Sequence, residues 1–274
     1  MIHRLASAAV ALALLGCSSP PEQAMKAAPG TFVLRTRRLA DEKTVTWTAK
    51  ETAVIVCDMW DNHTCQGAVR RVVAMTPKLD AFLKRCRAEG ALIIHSPSDV
   101  IKFYDGTPQR KRAQDAPAVT PPVEIKGRRL MPEKEGQLPV DDSDWCDCKP
   151  VKCPVQEIAK KGWPWTRQIA AIEIAPEDAI SADGKEIWNL FQQRGIRNLI
   201  MTGVHTNMCV LGRSFGIRQM TMLGVNTVLA RDLTDCLYDP AKPPHVSHDR
   251  GTELIVEHIE RHWCPSFLSV DVGR

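Results

Sequence analysis

From Thr52 onward, short apolar runs alternate with longer stretches of helical spacing along most of this chain. The runs that predict strands are 53–57, 91–95, 169–174, 198–203, 225–230 and 267–270, and the stretches that predict helices are 76–89, 184–194, 207–220 and 251–262. Continuous apolar strands separated by helices are typical of a parallel sheet that is covered on both faces. The sequence therefore predicts an α/β fold, a three-layer α/β/α sandwich with a mostly parallel sheet.

Residues 98–166 interrupt this alternation. The segment is rich in proline, charge and cysteine and contains no convincing core element, so we interpret it as an insertion on the loop side of the sheet. The sequence is long enough for one large domain, which we place at 36–274 and which includes this insertion. The formal net charge is only +4 and the basic residues are scattered, so nucleic acid is excluded as a predicted partner.

Three cysteines lie close together in the insertion, namely Cys146, Cys148 and Cys153. Their C-x-C-x4-C spacing matches no zinc pattern well, although three thiolates could bind zinc with a fourth ligand from elsewhere. In an oxidising compartment a disulfide within the group is the favoured interpretation, and the sequence does not reveal which pair forms it. We predict no catalytic metal and no cofactor.

Residues 1–17 predict a secretory signal peptide. A short basic start is followed by an apolar stretch at 6–15, which is too short to cross a bilayer as a helix. The sequence from Leu14 to Cys17 resembles a bacterial lipobox, whose cysteine is diacylated and becomes the new N-terminus. This resemblance implies an exported lipoprotein at the periplasmic or outer cell envelope, with the membrane as a partner through Cys17. Residues 18–35 are predicted to form a flexible tether.

The segment from Gly203 to Val210 places a cysteine directly after a buried strand, at the start of a predicted helix. In the first turn of a helix, free backbone N–H groups and the positive end of the helix dipole favour thiolate over thiol. The same N–H groups can stabilise a developing oxyanion. Cys209 is therefore the candidate nucleophile, and an inert buried thiol is the alternative interpretation.

Asp58 closes the first of the predicted apolar strands. A carboxylate at the end of a buried strand is costly unless it has a partner or a chemical role. Open parallel sheets bind ligands at the carboxyl ends of their strands, and Cys209 follows another such end. We therefore expect Asp58 and Cys209 to share one site, although a cap for the following turn is the alternative role for Asp58.

Two motifs resemble those of the isochorismatase-like cysteine hydrolases, which include nicotinamidases and other small amidases. Asp58-Met59-Trp60 is similar to the family's Asp-Met-Gln after the first strand, and residues 203–210 are similar to the segment that carries its nucleophile. The resemblance covers roughly residues 52–270. It implies an isochorismatase-like fold for this chain.

For the site, the resemblance implies that Asp58 is the catalytic acid and base and that Cys209 is the nucleophile. It also implies a cis peptide bond between Val204 and His205, with the N–H groups of His205 and Cys209 facing the oxyanion. The implied activity is hydrolysis of a C–N bond in a small amide-like substrate, through a thioester intermediate.

The family also has a catalytic lysine, and the position that matches it here holds Ile174, with Glu173 beside it. Lys152, Lys160 and Lys161 from the insertion are the candidates to supply the missing charge. The alternative to an active hydrolase is a binding protein that kept the fold and lost its activity with the lysine.

Several other residues near the two motifs are candidates for contact with a substrate. His63 and His205 are close in sequence to Asp58 and Cys209, so either is a candidate proton carrier. Trp60 is a candidate pocket wall, and Arg213, one turn after Cys209, is a candidate to bind an acidic group of the substrate. The sequence is also compatible with a homo-oligomer.

Overall fold

The computed structural model describes residues 28–127 and 129–272. The predicted signal peptide, Cys17 and residues 18–27 of the predicted tether lie outside the described residues. None of the helices in the described part of the chain is both long enough and apolar enough to cross a membrane.

One sheet organises the described residues, and most of its strands are parallel. Its eight strands lie in the order β2-β1-β8-β7-β6-β3-β4-β5, and the pairs from β8 to β5 are all parallel. The strand bounds are β1 Thr31–Arg38, β2 Asp41–Thr48, β3 Thr52–Cys57, β4 Leu92–Ser96, β5 Ala179–Ile180, β6 Asn198–Val204, β7 Asn226–Asp235 and β8 Ser266–Phe267.

Helices cover both faces of this sheet, so the predicted three-layer sandwich with a mostly parallel sheet is confirmed. Alternate residues of the buried strands point to opposite faces, as the two-residue period of a strand requires. Val54 and Val56 pack with the first helix, whereas Ile55 packs with helices on the other face. The helix bounds are α1 Gln66–Ala88, α2 Pro108–Gln114, α3 Pro132–Glu135, α4 Val155–Lys160, α5 Gly184–Arg194, α6 Ile217–Met222 and α7 His248–His262.

An antiparallel hairpin of β1 and β2 extends the sheet at one edge, and the sequence prediction missed it. Its strands alternate apolar and polar residues and therefore lack the continuous apolar runs by which the buried strands were found. Residues 31–35, predicted as the end of the tether, belong to β1. Phe32 and Leu34 are buried in the core, which is why the chain is ordered there.

The predicted strand at 169–174 is wrong. Ile169 and Ile172 are three residues apart, and the N–H of Ile172 donates to the carbonyl of Ile169 in a turn. Both side chains pack against the core from this turn. The strand position beside β4 is filled instead by β5, whose Ala179 pairs with Ile94.

Two predicted helices also differ from the structure. α1 begins at Gln66, ten residues before the predicted start at Thr76, and it continues through Pro77. The predicted helix at 207–220 is broken: a π-helical turn at Thr206–Val210 is followed by a bend before α6 begins. The spacing of apolar residues reveals neither the earlier start of α1 nor the break in the second helix, because this spacing is helical on both sides of the proline and of the bend.

The segment 98–166 contains α2, α3 and α4 and, within the described residues, no strand of the sheet. It was expected to contribute no core element, and this part of the prediction is wrong. Ile125 and Val140 join the core on one face of the sheet, and Trp165 is buried near the carboxyl end of β3. The insertion therefore contributes side chains both to the core and to the sheet edge at which β3 ends.

Candidate active site

The ends of β3 and β6 bring the two sequence motifs together. The strands are parallel neighbours with Cys57 opposite Gly203, so Asp58 and the segment after Val204 leave the sheet at the same edge. Gly203 has φ +93°, and a Cβ atom on it would lie 2.0 Å from the carbonyl oxygen of Cys57. Glycine is therefore required here, because the two main chains are in direct contact.

A short helical turn carries Cys209. The Val204–His205 peptide bond is cis, and Thr206–Val210 then forms a π-helical turn in which the N–H of Val210 donates to the carbonyl of His205. Cys209 is half-buried in this turn. The sequence predicted that Cys209 lies in the first turn of a long helix. The structure places it in a five-residue π-helical turn instead.

Asn207 fixes this turn to the end of β7. Its side-chain amide donates to the carbonyl of Leu237 at 3.1 Å, and its side-chain oxygen accepts from the N–H of Leu237 at 2.8 Å. Sequence reasoning missed this residue. An asparagine two positions before the nucleophile was the only signal, and many local roles compete for such a residue.

Asp58 is fully buried at the same edge. Its Oδ1 accepts a hydrogen bond of 2.7 Å from the backbone N–H of Ser98. Burial raises the pKa of this carboxyl, while the charge of Arg213 and hydrogen bonds from Cys209 and Ser98 lower it, and the net shift is upward. The protonated and ionised forms of Asp58 are thus brought closer in free energy, as proton transfer requires.

Arg213 supplies the positive charge of the site. Its Nε lies 3.5 Å from Asp58 Oδ2, and its Nη2 donates to Asp99 Oδ2 at 3.1 Å. Burial lowers the pKa of Arg213, but the negative charges of Cys209, Asp58 and Asp99 raise it by more. The sequence interpretation of Arg213 as a substrate contact therefore omitted its main structural role, which is to face the Asp58 carboxylate.

No lysine occupies this part of the described site. Lys152 pairs with Asp144 and Asp239, and Lys160 and Lys161 are exposed. The cation that faces Asp58 is Arg213, while Lys152, one of the lysine candidates, is paired with other carboxylates. Glu173, beside the matched position at Ile174, is also exposed and pairs with Lys84.

The thiol of Cys209 is not predisposed to ionise. Burial raises its pKa, the charge of Asp58 raises it further, and Arg213 lowers it by less than these two effects together. The expectation of a depressed thiol pKa is wrong, because desolvation outweighs what a short helical turn can offer. Cys209 consequently needs a base, and Asp58 lies beside it.

His63 and His205 do not provide that base. Burial lowers the pKa of His63 to about 4 and lowers the pKa of His205 well below its ordinary value. The rings face one another with centroids 5.0 Å apart, and the strongest other electrostatic neighbours of His205 are Asp235, Arg71 and His248. The lowered pKa values disfavour the imidazolium forms, so neither ring supplies the positive charge that the lysine position lacks.

An aromatic stack lies beside Asp58. Trp60 stacks on Trp165 with centroids 4.3 Å apart, and Trp163 stacks on the other side of Trp165 at 4.8 Å. The indole N–H of Trp60 donates to the carbonyl of Ser98, the same residue whose N–H binds Asp58. Trp60 is thus held at the site edge by the insertion, as a pocket wall would be.

A cavity of about 410 Å³ opens beside Arg213. Its lining is strongly polar and includes both acidic and basic side chains. The lining residues are Ser98, Asp99, Ile101, Arg110, Gly127, Ala182, Asp183, Glu186, Arg213 and Ser214. A larger cavity of about 670 Å³ is lined by the insertion and Lys242. Asp58 and Cys209 line neither cavity, and Arg213 is the residue of the site that lines the smaller one.

His95, on β4, belongs to a buried polar network. His95 is buried, and its two ring nitrogens contact Gln168 and Asp178 at 2.9 and 3.1 Å. Asp99, which follows β4, pairs with Arg213. These contacts make His95 part of a structural network that also includes Arg87.

The disulfide expected among Cys146, Cys148 and Cys153 is not formed: every cysteine in the described residues is a free thiol. The thiols of Cys146 and Cys148 instead lie beside that of Cys65, which directly precedes α1, and the thiol of Cys153 lies beside that of Cys148. The sequence could not reveal Cys65 as a partner, because it lies about eighty positions away from Cys146.

Solved structures of other proteins share this architecture. A cysteine hydrolase from Pseudomonas syringae pv. phaseolicola 1448A is similar at a TM-score of 0.53 and 17% identity, over 88% of this chain and 95% of that chain. An isochorismatase from Pseudomonas putida KT2440 is similar at a TM-score of 0.47 and 12% identity, over 82% and 91% of the two chains. For an isochorismatase family protein from Burkholderia thailandensis the values are 0.44 and 15%, over 82% and 94%.

No family model matches the chain, and no match was found among curated proteins. The assignment of the fold rests on the Pseudomonas syringae structure, which the chain matches over nearly its whole length. The chain has an isochorismatase-like fold, as the two sequence motifs predicted. At this level of identity the similarity concerns the fold, and the activity is argued from the site.

Proposed function

We propose that this protein is a cysteine-dependent hydrolase that cleaves a C–N bond of a small amide-like substrate. The observation that carries the proposal is the grouping of Arg213, Asp58 and Cys209 at one edge of the sheet. A thiol, a buried carboxylate beside it and a cation facing that carboxylate are the groups that acyl transfer to cysteine requires.

In the first half of the reaction, Asp58 accepts the thiol proton and Cys209 Sγ attacks the carbonyl carbon of the substrate. The N–H groups of His205 and Cys209 are the candidate donors to the resulting oxyanion. Collapse of the tetrahedral intermediate breaks the C–N bond, and the protonated Asp58 gives its proton to the leaving amine. The product of this half-reaction is a thioester on Cys209.

Water completes the cycle. Asp58, again ionised, accepts a proton from a water molecule that attacks the thioester carbonyl. The C–S bond then breaks, the carboxylic acid leaves, and Cys209 recovers its proton from Asp58. Arg213 stabilises the ionised carboxylate and the thiolate, the two negative species that burial disfavours.

The polar cavity beside Arg213 supports a small, polar substrate. Its volume of about 410 Å³ lies in the range of small-molecule sites. Its lining charges come largely in pairs, since Arg110 binds Glu186 and Arg213 binds Asp99. Hydrogen-bonding groups of a substrate would therefore meet both donors and acceptors.

A panel of small primary and secondary amides, assayed with the native protein and with Cys209→Ala, tests the proposal. We expect turnover of at least one amide and a loss of about 10³-fold or more in the variant, because the nucleophile is absent. Cys86→Ala is the matched control, since Cys86 is a buried thiol of α1 far from the site in sequence. Undiminished turnover by Cys209→Ala would exclude the nucleophile.

The rival proposal, a binding protein that lost its activity, predicts no turnover by any variant. Arg213 argues against this rival, because a cation remains in the site without the lysine. Saturable binding of an amide that is not hydrolysed over prolonged incubation would favour it.

Export and lipid attachment through Cys17 remain part of the proposal and are supported by the lipobox-like sequence before that residue. Labelling of cells with a radioactive fatty acid is expected to mark the native protein and not Cys17→Ser. Label retained by the variant would overturn the attachment site.

A further inference from the structure

Four thiols meet where the insertion touches the start of α1. Cys65 precedes the helix, and Cys146, Cys148 and Cys153 come from the insertion. The Sγ atom of Cys148 lies 3.8 Å from that of Cys65 and 3.6 Å from that of Cys153. The Sγ atoms of Cys65, Cys146 and Cys148 all lie within 4.8 Å of one another.

We propose that these four cysteines bind a structural zinc ion. A tetrahedral Zn²⁺ ion with four thiolate ligands holds its sulfur atoms about 3.8 Å apart, because each Zn–S bond is about 2.3 Å long. The separations of Cys148 Sγ from Cys65 Sγ and from Cys153 Sγ match this spacing, and Cys65, Cys146 and Cys148 already form a set of three mutually close ligands. A site with four protein ligands and no open position is structural in type, and it is separate from Asp58 and Cys209.

The backbone around the cluster is arranged to support negatively charged sulfur. The N–H of Gly67 donates to Cys148 Sγ at 3.1 Å, and the N–H of Gln66 donates to Cys153 Sγ at 3.4 Å. These are the first two N–H groups of α1, whose N-terminus has no side-chain oxygen as a cap. Sulfur atoms of the insertion therefore take the position that a capping oxygen holds in most helices.

A third backbone N–H group donates to a sulfur atom within the insertion itself. The N–H of Cys153 donates to Cys146 Sγ at 3.2 Å. Hydrogen bonds from the main chain to ligand sulfur atoms orient them and reduce their charge, which is the usual work of the shell around a metal. Side-chain cations also lie nearby, with Arg70 Nη2 4.0 Å from Cys148 Sγ and Arg71 bound to Asp147.

Close packing makes the arrangement specific. A Cβ atom at Gly67 would lie 2.2 Å from Asp147 Oδ1, so the side chain of the loop residue between Cys146 and Cys148 lies directly against the helix here. The cluster also packs against Met208, the neighbour of the nucleophile. A zinc ion here would fasten the insertion to α1 beside the catalytic turn.

Binding exchanges protons for metal. Each thiol that becomes a ligand releases one proton, so uptake of Zn²⁺ by the cluster releases up to four protons without any change in oxidation state. The competing chemistry for the same thiols is oxidation to disulfides, which requires an electron acceptor and removes ligands in pairs.

Metal analysis of the full-length protein, purified without chelator, tests the proposal. We expect about one zinc ion per chain in the native protein and in the control Cys86→Ala. We expect strongly reduced zinc in Cys148→Ala, the central ligand of the cluster. Because Cys153 is only half-buried, Cys153→Ala should fold even if Cys148→Ala does not, and it should lose its zinc to a chelator faster than the native protein.

Cobalt gives a second measurement that does not depend on activity. Co²⁺ added to the metal-free protein should produce the intense thiolate-to-metal absorption of a tetrahedral sulfur site, and Zn²⁺ should displace it. Absence of stoichiometric zinc and of this absorption in reduced protein would overturn the proposal. So would alkylation of denatured, unreduced native protein that finds these cysteines paired as disulfides.

Discussion

Arg213 Nε lies 3.5 Å from Asp58 Oδ2, and Arg213 is on the same short segment as the nucleophile. Its backbone N–H donates to the carbonyl of Cys209, so the two residues are one helical turn apart. The carboxylate comes from the end of a different strand. The positively charged side chain of this site therefore lies on the same segment as the proposed nucleophile. It does not come from position 174, where the family's lysine was expected.

Replacement of Arg213 should change both the rate and the pH dependence of hydrolysis. Because Arg213 lowers the pKa of Asp58, its loss in Arg213→Gln raises that pKa further. Asp58 must be ionised to accept the thiol proton, so the acidic limb of the kcat/KM profile should move to higher pH. We expect kcat/KM at its optimum to fall by about 10²-fold or more.

Arg213→Lys restores the charge and should keep the acidic limb near its native position, with partial activity, since lysine lacks the planar fork of arginine. Arg250→Gln, an exposed arginine paired with Glu253 and Glu257, is the control and should leave the profile unchanged. An acidic limb that does not move in Arg213→Gln would show that Arg213 does not act on Asp58.

Asp58→Asn should abolish hydrolysis and yet stabilise the fold at neutral pH. Asn keeps an oxygen that can accept from the N–H of Ser98, but it cannot take a proton from the thiol. The pKa of Asp58 is raised in the folded protein, so the folded state loses stability as pH rises through that pKa. The variant lacks this loss.

Thermal unfolding across a pH series measures the effect. We expect the Tm of Asp58→Asn to exceed the native Tm above the folded-state pKa of Asp58, with the difference vanishing in acid, where both side chains are neutral. A variant that is less stable at every pH would mean that the ion pair with Arg213 outweighs the cost of burial.

The pH dependence of Cys209 alkylation should shift in opposite directions when the charge of Asp58 and the charge of Arg213 are removed. Because burial and Asp58 raise the pKa of the thiol, native Cys209 should react with iodoacetamide slowly at mildly acidic pH and faster only in alkaline solution. In Asp58→Asn the pH profile of labelling should shift to lower pH, and in Arg213→Gln it should shift to higher pH.

Peptide mass spectrometry separates the labelling of Cys209 from that of other thiols. Rapid labelling of native Cys209 at mildly acidic pH, or shifts of the same sign in both variants, would contradict the electrostatic description of the site. Labelling of Cys86, which is fully buried in α1, serves as an internal control for unfolding.

Gly203→Ala should be strongly destabilising. Its φ is +93°, and the new Cβ atom would lie 2.0 Å from the carbonyl oxygen of Cys57, so β3 and β6 must separate. We expect a loss of about 3 kcal/mol or more in the free energy of unfolding. Gly195→Ala is the matched control: its φ is +65° with nothing within 4 Å of a Cβ atom, and it should cost about 1 kcal/mol. Equal losses in chemical denaturation would refute the role of the close contact.

The sequence predicted the parallel sheet well because its buried strands are continuous apolar runs, a pattern with few competing explanations. The β1 and β2 hairpin was not predicted because its strands alternate apolar and polar residues and contain no long continuous apolar run. The strand expected at 169–174 failed because Ile169 and Ile172 pack on the same core from a turn, whereas residues three apart on a strand would point to opposite faces. The start of α1 was predicted ten residues too late, at Thr76, because the helix begins at Gln66 and continues through Pro77.

At the site, position along the chain predicted that Asp58 and Cys209 leave the sheet at one edge, since parallel strands end together. Position along the chain did not predict that the pKa of the Cys209 thiol is raised, because the burial of this thiol depends on which parts of the site the insertion covers. Nor did it predict that Arg213 turns back to Asp58 or that Cys65 joins the insertion's thiols. These contacts form between side chains that are distant in sequence or are oriented by loops.

The contact between Gly203 and Cys57 also shows that main-chain atoms and side-chain atoms set different distances within the site. Main-chain atoms alone set how far the strand end that bears Asp58 lies from the strand end that precedes Cys209. The cation, by contrast, reaches Asp58 at the end of a long, flexible side chain. A fold built in this way can exchange one cationic residue for another, from another element, without moving the acid or the thiol.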